Sequence, residues 1–333
     1  PYLVEDVEFG NRITYRRDPN YWGRDIPSKR GFDNYERITV EYFRDQTALF
    51  EAFKKGIFDI YPEADPVKWE TAYDFPAVQE GEVKKSVFKS RAPVAMFGFF
   101  FNTRREQFAD PKVREALAML FDFEWVNKNL FENRYSRTGS YWQNSEELSA
   151  LGRPATEKEK ELLAPYPDAV LPEVMDGTYT PPQTDGSGRD RSVLRAALEK
   201  FNEAGYAIED GQLARDGEQL SFEIMTSNLD EEKMALAFKR TAETLGIAVS
   251  VRTVDDAQFQ KRRQTYDYDM TAASLSASLS PGAEQIWRWD SRSKDPEGTF
   301  NYAGAADPAI DAMIQAMLNA REREDFAAAV RAL

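Results

Sequence analysis

The chain has 333 residues, with 43 basic and 57 acidic side chains for a formal net charge of −14, and 42% of it is hydrophobic. That balance runs against nucleic acid and against an anionic membrane surface, since both need a basic face. Cysteine and histidine are absent, which excludes disulfides, zinc–thiolate sites, thiol nucleophiles and a Ser-His-Asp triad within the chain.

The length suggests about two domains, and no apolar run approaches the roughly 18 residues of a transmembrane helix. Residues 12–17 and 37–43 are rich in β-branched and aromatic types and predict strands. Pro19, Gly23, Pro27 and Gly31 mark a long turn region between them. Residues 46–55 predict a helix with Leu49, Phe50 and Phe53 on one side, ended by Gly56. Residues 57–61 then read as a short strand, completing a strand–helix–strand unit of a layered α/β sheet. Residues 83–89 and 94–101 predict two more strands.

The second of these is the most informative. Met96, Phe97, Phe99, Phe100 and Phe101 form an apolar run broken only by Gly98, as in a strand covered on both faces. Asp110 caps the next helix, Pro111 opens it, and Val113, Leu117 and Leu120 share one face. A strand that leaves one compact body and feeds a helix of another is an interdomain crossover, and clefts between domains hold ligands.

A helix over 122–132 follows, then a less regular, proline-rich tract over 133–190 that ends in the exposed loop 184–190. Asp190 caps an amphipathic helix closed by Gly205. Strand 220–226, helix 230–245, strand 247–254, helix 256–264 and strand 267–275 make a second α/β run. Asp307 and Pro308 start a further helix. The chain opens at Pro1 and closes at Leu333 inside a helical pattern, so it reads as a segment of a longer polypeptide.

Several stretches in this order resemble family 5 extracytoplasmic solute-binding proteins of ABC importers, the oligopeptide and dipeptide type. They are residues 1–22, 36–60 and 194–206, together with FNTRREQFADPKVREALAMLFD at 101–122. Residues 121–131 and 278–287 look closest to the microcin C and oligopeptide-type members. The resemblance implies a two-lobe class II periplasmic-binding-protein fold of α/β type, with lobe 1 incomplete at both chain ends. On that basis 1–95 is the middle of lobe 1, 96–102 the first crossover, 103–271 lobe 2, 272–280 the second crossover, and 281–333 the return to lobe 1. It further implies a periplasmic, monomeric, non-enzymatic protein without cofactor or metal. Such a protein captures a peptide or peptide-like ligand between two lobes and delivers it to a membrane permease. An oligosaccharide or an opine-like solute is the alternative ligand, and a carboxylate-dependent glycoside hydrolase the rival of a different class. Peptide binders of this type often carry an Asp in the second crossover to hold the peptide's amino terminus; residues 272–282 have no acid.

The candidate ligand-binding residues fall in four places. Asn102 stands at the strand exit. Arg137, Tyr141 and Trp142 lie in a loop rich in aromatics and donors, where Arg137 suits a carboxylate or phosphate. Ser276, Ser278 and Ser280 lie in the small, hydroxyl-rich second crossover, which is equally a polar hinge. Glu284, Trp287 and Arg288 offer an aromatic wall beside charges, or else a core tryptophan with a solvated helix face.

Overall fold

A computed structural model describes residues 1–63, 65–88 and 92–333. They divide into two compact units, Pro1–Val87 and Phe88–Leu333.

In the first unit, strands β1 (Tyr2–Glu8), β2 (Arg12–Arg17) and β3 (Arg37–Glu41) form an antiparallel sheet in the order β1-β2-β3. Helices α1 (Gln46–Lys54), α2 (Pro66–Thr71) and α3 (Pro76–Gln79) follow. Asp45 caps α1 by accepting from the Ala48 amide, and Asp65 caps α2. Phe50, Phe53, Tyr73 and Phe75 form this unit's buried core. The strand–helix–strand unit is corrected: β3 and α1 form, but residues 57–61 do not make a strand. Phe58 and Tyr61 pack instead on the aromatic core, so their apolar character is used in a cluster and not in a ladder. Residues 83–88 are not a strand either, and Lys89 lies outside the described residues.

The second unit is built on a four-stranded sheet. Its elements in chain order are β4 (Met96–Phe101), α4 (Pro111–Met119), α5 (Phe123–Leu130), α6 (Glu157–Leu163), α7 (Pro172–Met175) and α8 (Arg191–Glu203). A small antiparallel sheet of β5 (Ala207–Glu209), β6 (Gln212–Arg215) and β7 (Glu218–Gln219) comes next. Then come β8 (Ser221–Thr226), α9 (Leu229–Glu243), β9 (Ala248–Thr253), α10 (Asp256–Gln264) and β10 (Met270–Leu275). Helices α11 (Glu284–Trp289), α12 (Pro308–Asn319) and α13 (Arg323–Ala332) complete it.

The main sheet runs β4-β10-β8-β9. β8 pairs in parallel with both β9 and β10, and β4 pairs antiparallel to β10. The parallel strands are joined by helical crossovers, as such connections require. Asn228 caps α9 by accepting from the Asp230 and Glu231 amides. Gly246, at φ +79°, closes the turn after α9; a Cβ there would stand 2.3 Å from the Gly211 carbonyl oxygen. Phe108, Leu117 and Leu120 meet Phe201, Phe222, Ile224 and Phe238 in one fully buried core.

Residues 281–333, expected to return to lobe 1, belong to this second unit. The Thr103 amide donates to Ala303 O, the Tyr268 hydroxyl to Tyr302 O at 2.9 Å, and Arg104 to Asn301 O at 3.0 Å. The first unit closes at Val87, and β4 is an edge strand of the second unit's own sheet.

Candidate functional site

Among the described residues β4 has one neighbour, β10, and its other edge is open. The Asn102 amide bonds to Asp269 O on the β10 side. By the two-residue period of a strand, the peptide groups of Phe97, Phe99 and Phe101 point to the opposite edge. Among the described residues none pairs with those three peptide groups. An unpaired strand edge is a template for another extended chain.

A cavity of about 980 Å³ lies along this edge, at the upper end of the range for ligand sites. Phe97, Phe99, Phe101 and Met270 line it from the sheet, Leu117 from α4, Val126 from α5, and Phe121 from the link between those helices. Asn228, Asp230, Glu231 and Met234 contribute from the start of α9, just past the carboxyl end of β8. Ligands in open α/β sheets sit beyond the carboxyl ends of the parallel strands. The loop after α5 supplies Arg134, Tyr135 and Arg137.

The charges in the walls have both signs. Arg137 is partly buried, and its Nη1 donates to Pro182 O at 2.7 Å. Among the described residues no carboxylate is within ion-pair distance of it. Burial lowers its pKa from the ordinary arginine value, with Glu124 and Tyr179 acting in the opposite sense. Across the cavity, Glu231 accepts from the Ser227 amide and hydroxyl, and Asp230 accepts from Lys233 at 3.1 Å.

A second cavity of about 410 Å³ is lined by Tyr141, Trp142, Tyr179, Leu148 and Trp289. Tyr141 meets Trp289 edge-on at 5.1 Å. Trp142 is buried against Leu148, Met317 and Val330, and its Nε1 has no partner among the described residues. The loop over 135–144 borders both spaces: 135–138, 143 and 144 face the larger, 139–142 the smaller.

The sequence candidates are thus dispersed. Arg137 reaches the large cavity, and Tyr141 and Trp142 the small one. Asn102 is corrected: it is 1% exposed and its amide is spent inside the protein. Its Nδ2 donates to Tyr266 O at 3.1 Å and to Tyr268 O at 2.9 Å. Its Oδ1 accepts from the Arg104 amide at 3.2 Å and from Arg104 Nη1 at 3.1 Å. Arg288 donates to Ser276 O and Oγ, Ser278 Oγ accepts from the Ser280 amide, and Glu284 accepts from the Gly282 amide. These groups brace the segment after β10. With the exposed Trp287 they border neither cavity. Sequence reasoning missed Phe97, Phe99 and the α9 start. A usable signal was Ser227-Asn228, with Asn228 as the helix cap, directly after a parallel strand.

Among the described residues no group of three or more acidic side chains is placed to hold a metal ion, and no helix is long and apolar enough to cross a membrane.

The family model for bacterial extracellular solute-binding proteins, family 5 middle region, matches residues 1–297. A putative binding protein of Brucella melitensis is 55% identical over 334 residues, covering 100% of this chain and 54% of its own length. The peptidoglycan-binding protein YepA of Agrobacterium fabrum is 51% identical over 340 residues, covering 100% of this chain and 55% of its own. The chain spans about half the length of the curated relatives it matches. Among solved structures, the oligopeptide-binding protein AppA of Bacillus subtilis, in complex with a nonapeptide, superposes with a TM-score of 0.69 at 17% identity. That match covers 99% of this chain and 56% of AppA.

Proposed function

We propose, from the premise that this chain belongs to the family 5 bacterial extracellular solute-binding proteins, that it captures a peptide or peptide-like ligand in the cavity beside β4. The observation that carries this reading is the coincidence of an unpaired strand edge with a cavity of about 980 Å³. An extended ligand pairs its backbone with the peptide groups of Phe97, Phe99 and Phe101, which gives affinity without dependence on sequence. The phenyl rings supply apolar area, and Arg137 receives a carboxylate. The role is binding without turnover. The protein works in the periplasm as a monomer and hands its ligand to the permease of an ABC importer.

Oligopeptides, microcin C-like peptide conjugates and cell-wall peptides share that backbone. The 51% identity to a peptidoglycan-binding protein favours cell-wall peptides as a second reading. Such peptides bear extra carboxyl and amino groups, which suit a cavity with arginines on one wall and Asp230 and Glu231 on another.

Thermal shift against peptides and oligosaccharides tests this. A peptide at a hundred times its Kd adds about 2.7 kcal/mol to the folded state; a response to sugars alone refutes the peptide reading. Arg137→Gln is expected to weaken peptides with a free carboxylate by about tenfold or more, as read by calorimetry, and to spare their amidated forms.

A further inference from the structure

The cavity of about 410 Å³ stands apart from β4, and among the described residues no strand lines it. Its volume is that of a small-molecule site. The rings of Tyr141, Trp142, Tyr179 and Trp289 stand in its wall beside Leu151 and Ile310. That wall is held from behind. Gly177 lies at φ +78°, and a Cβ there would stand 2.3 Å from the Arg153 carbonyl carbon, so the two backbones touch. The Tyr179 amide then donates to Glu173 O at 2.8 Å. The edge-on contact of Tyr141 with Trp289 sets the other side. Tyr141 keeps 40% of its surface accessible, yet burial alone pushes its hydroxyl up to about 12. Both hold when the accessible surface faces the cavity and not open water. A buried tyrosine hydroxyl ordinarily finds a partner; among the described residues this one has none. The indole N–H of Trp142 lacks an acceptor as well. Among the described residues Arg331 is the only charged side chain in the wall. Its charge is met by Glu159, and its Nη1 donates to Glu147 O.

We propose that the smaller cavity is a second ligand site, for a flat, uncharged aromatic molecule of about two rings that carries a hydrogen-bond acceptor. The four rings supply edge and face contacts for such a molecule, and an apolar cavity takes apolar rings readily. The acceptor receives the Tyr141 hydroxyl, whose burial is otherwise uncompensated. A charged molecule is disfavoured, because the wall holds no unpaired charge to meet it. An extended peptide gains nothing here, since there is no strand edge to pair with. No described residue lines both cavities, so this site is judged apart from the peptide reading.

The test uses the full-length protein and three probes of one shape. Naphthalene is the bare ring pair, quinoline adds a ring-nitrogen acceptor, and N-methylquinolinium blocks that nitrogen and adds a charge. Equilibrium dialysis reads affinity, and circular dichroism reads the melting temperature. Quinoline is expected to bind about three- to tenfold tighter than naphthalene, the scale of one net hydrogen bond, and N-methylquinolinium more weakly than either. Tyr141→Phe is expected to bring quinoline down to the level of naphthalene and to leave naphthalene unchanged. It should melt no lower than the wild type, since the hydroxyl has no partner to lose. A full-length protein that binds neither naphthalene nor quinoline overturns the proposal, as does one that binds all three probes alike. A Tyr141→Phe protein that keeps the advantage of quinoline puts the probes elsewhere and overturns it too. One that melts several degrees lower shows that the hydroxyl serves the fold, with the same consequence.

Discussion

Replacing Asn102 by alanine separates a structural amide from a ligand-binding one. The side chain bonds two backbone carbonyls, at Tyr266 and Tyr268, and accepts from Arg104 twice. It is 1% exposed, so water reaches its partners poorly. Arg104 holds the other end of this brace: it donates to Lys294 O and Asn301 O, and its guanidinium lies 3.7 Å from the centre of the Tyr266 ring. Alanine leaves two buried carbonyls and one face of the arginine without partners. At about 1–3 kcal/mol for each unsatisfied group, with partial relaxation, the loss is roughly 2–4 kcal/mol. For a unit of this size each kcal/mol moves the melting temperature by ~2–4 °C, so a fall of about 5–15 °C is expected. Circular dichroism melts read it directly. An Asn102→Ala protein that melts like its parent yet loses peptide binding refutes the argument and returns the amide to the ligand.

Three further outcomes follow from the geometry. Arg331 and Glu159 form a buried ion pair, 9% and 5% exposed at their side chains. Arg331→Met alone should cost roughly 3–5 kcal/mol in urea denaturation, and adding Glu159→Leu should restore most of it. Hydrogen bonds from Arg292 hold the buried Asp290 carboxyl below its ordinary value of 3.8, against the opposing effect of burial. A depressed folded-state pKa contributes stability that is complete above about pH 4 and lost as the pH falls through the folded value. Asp290→Asn should therefore flatten the urea midpoint's dependence on pH below about pH 4. Gly246→Ala forces a Cβ into a left-handed residue and against the Gly211 carbonyl; a loss of more than about 1 kcal/mol is expected in thermal melts.

Much of the second unit was legible because its signals are local. Asp110-Pro111, Asp190, Asn228 and Asp255 each cap the helix that follows them. β8 and β9 carry apolar residues at alternate positions, Phe222 and Ile224 in one and Val249 and Val251 in the other, and β10 is a short run of small and apolar residues. β1 was missed because its acids at 5, 6 and 8 break the pattern, and every residue after Tyr2 is exposed. The β5-β6-β7 sheet was missed because its strands are two to four residues long; Asp210-Gly211 and Asp216-Gly217, all at positive φ, were its only marks. The site was less legible than the fold. Arg137 was visible as an arginine in an aromatic loop, but the α9 start faces it from about ninety positions away in the sequence. Asn102 shows the opposite error. A polar residue at a strand exit reads as exposed, and only the carbonyls at 266 and 268 reveal it as a brace.

The segment 135–144 is a wall shared by two chambers, pinned at its neck by the Gly139 amide on Gln143 Oε1 at 2.7 Å. The two volumes are therefore not independent, because a bulge that enlarges one room is taken from the other. Ten residues outside every sheet ladder border both spaces, so substitutions in this segment reshape both rooms while the strands of the sheet stay as they are.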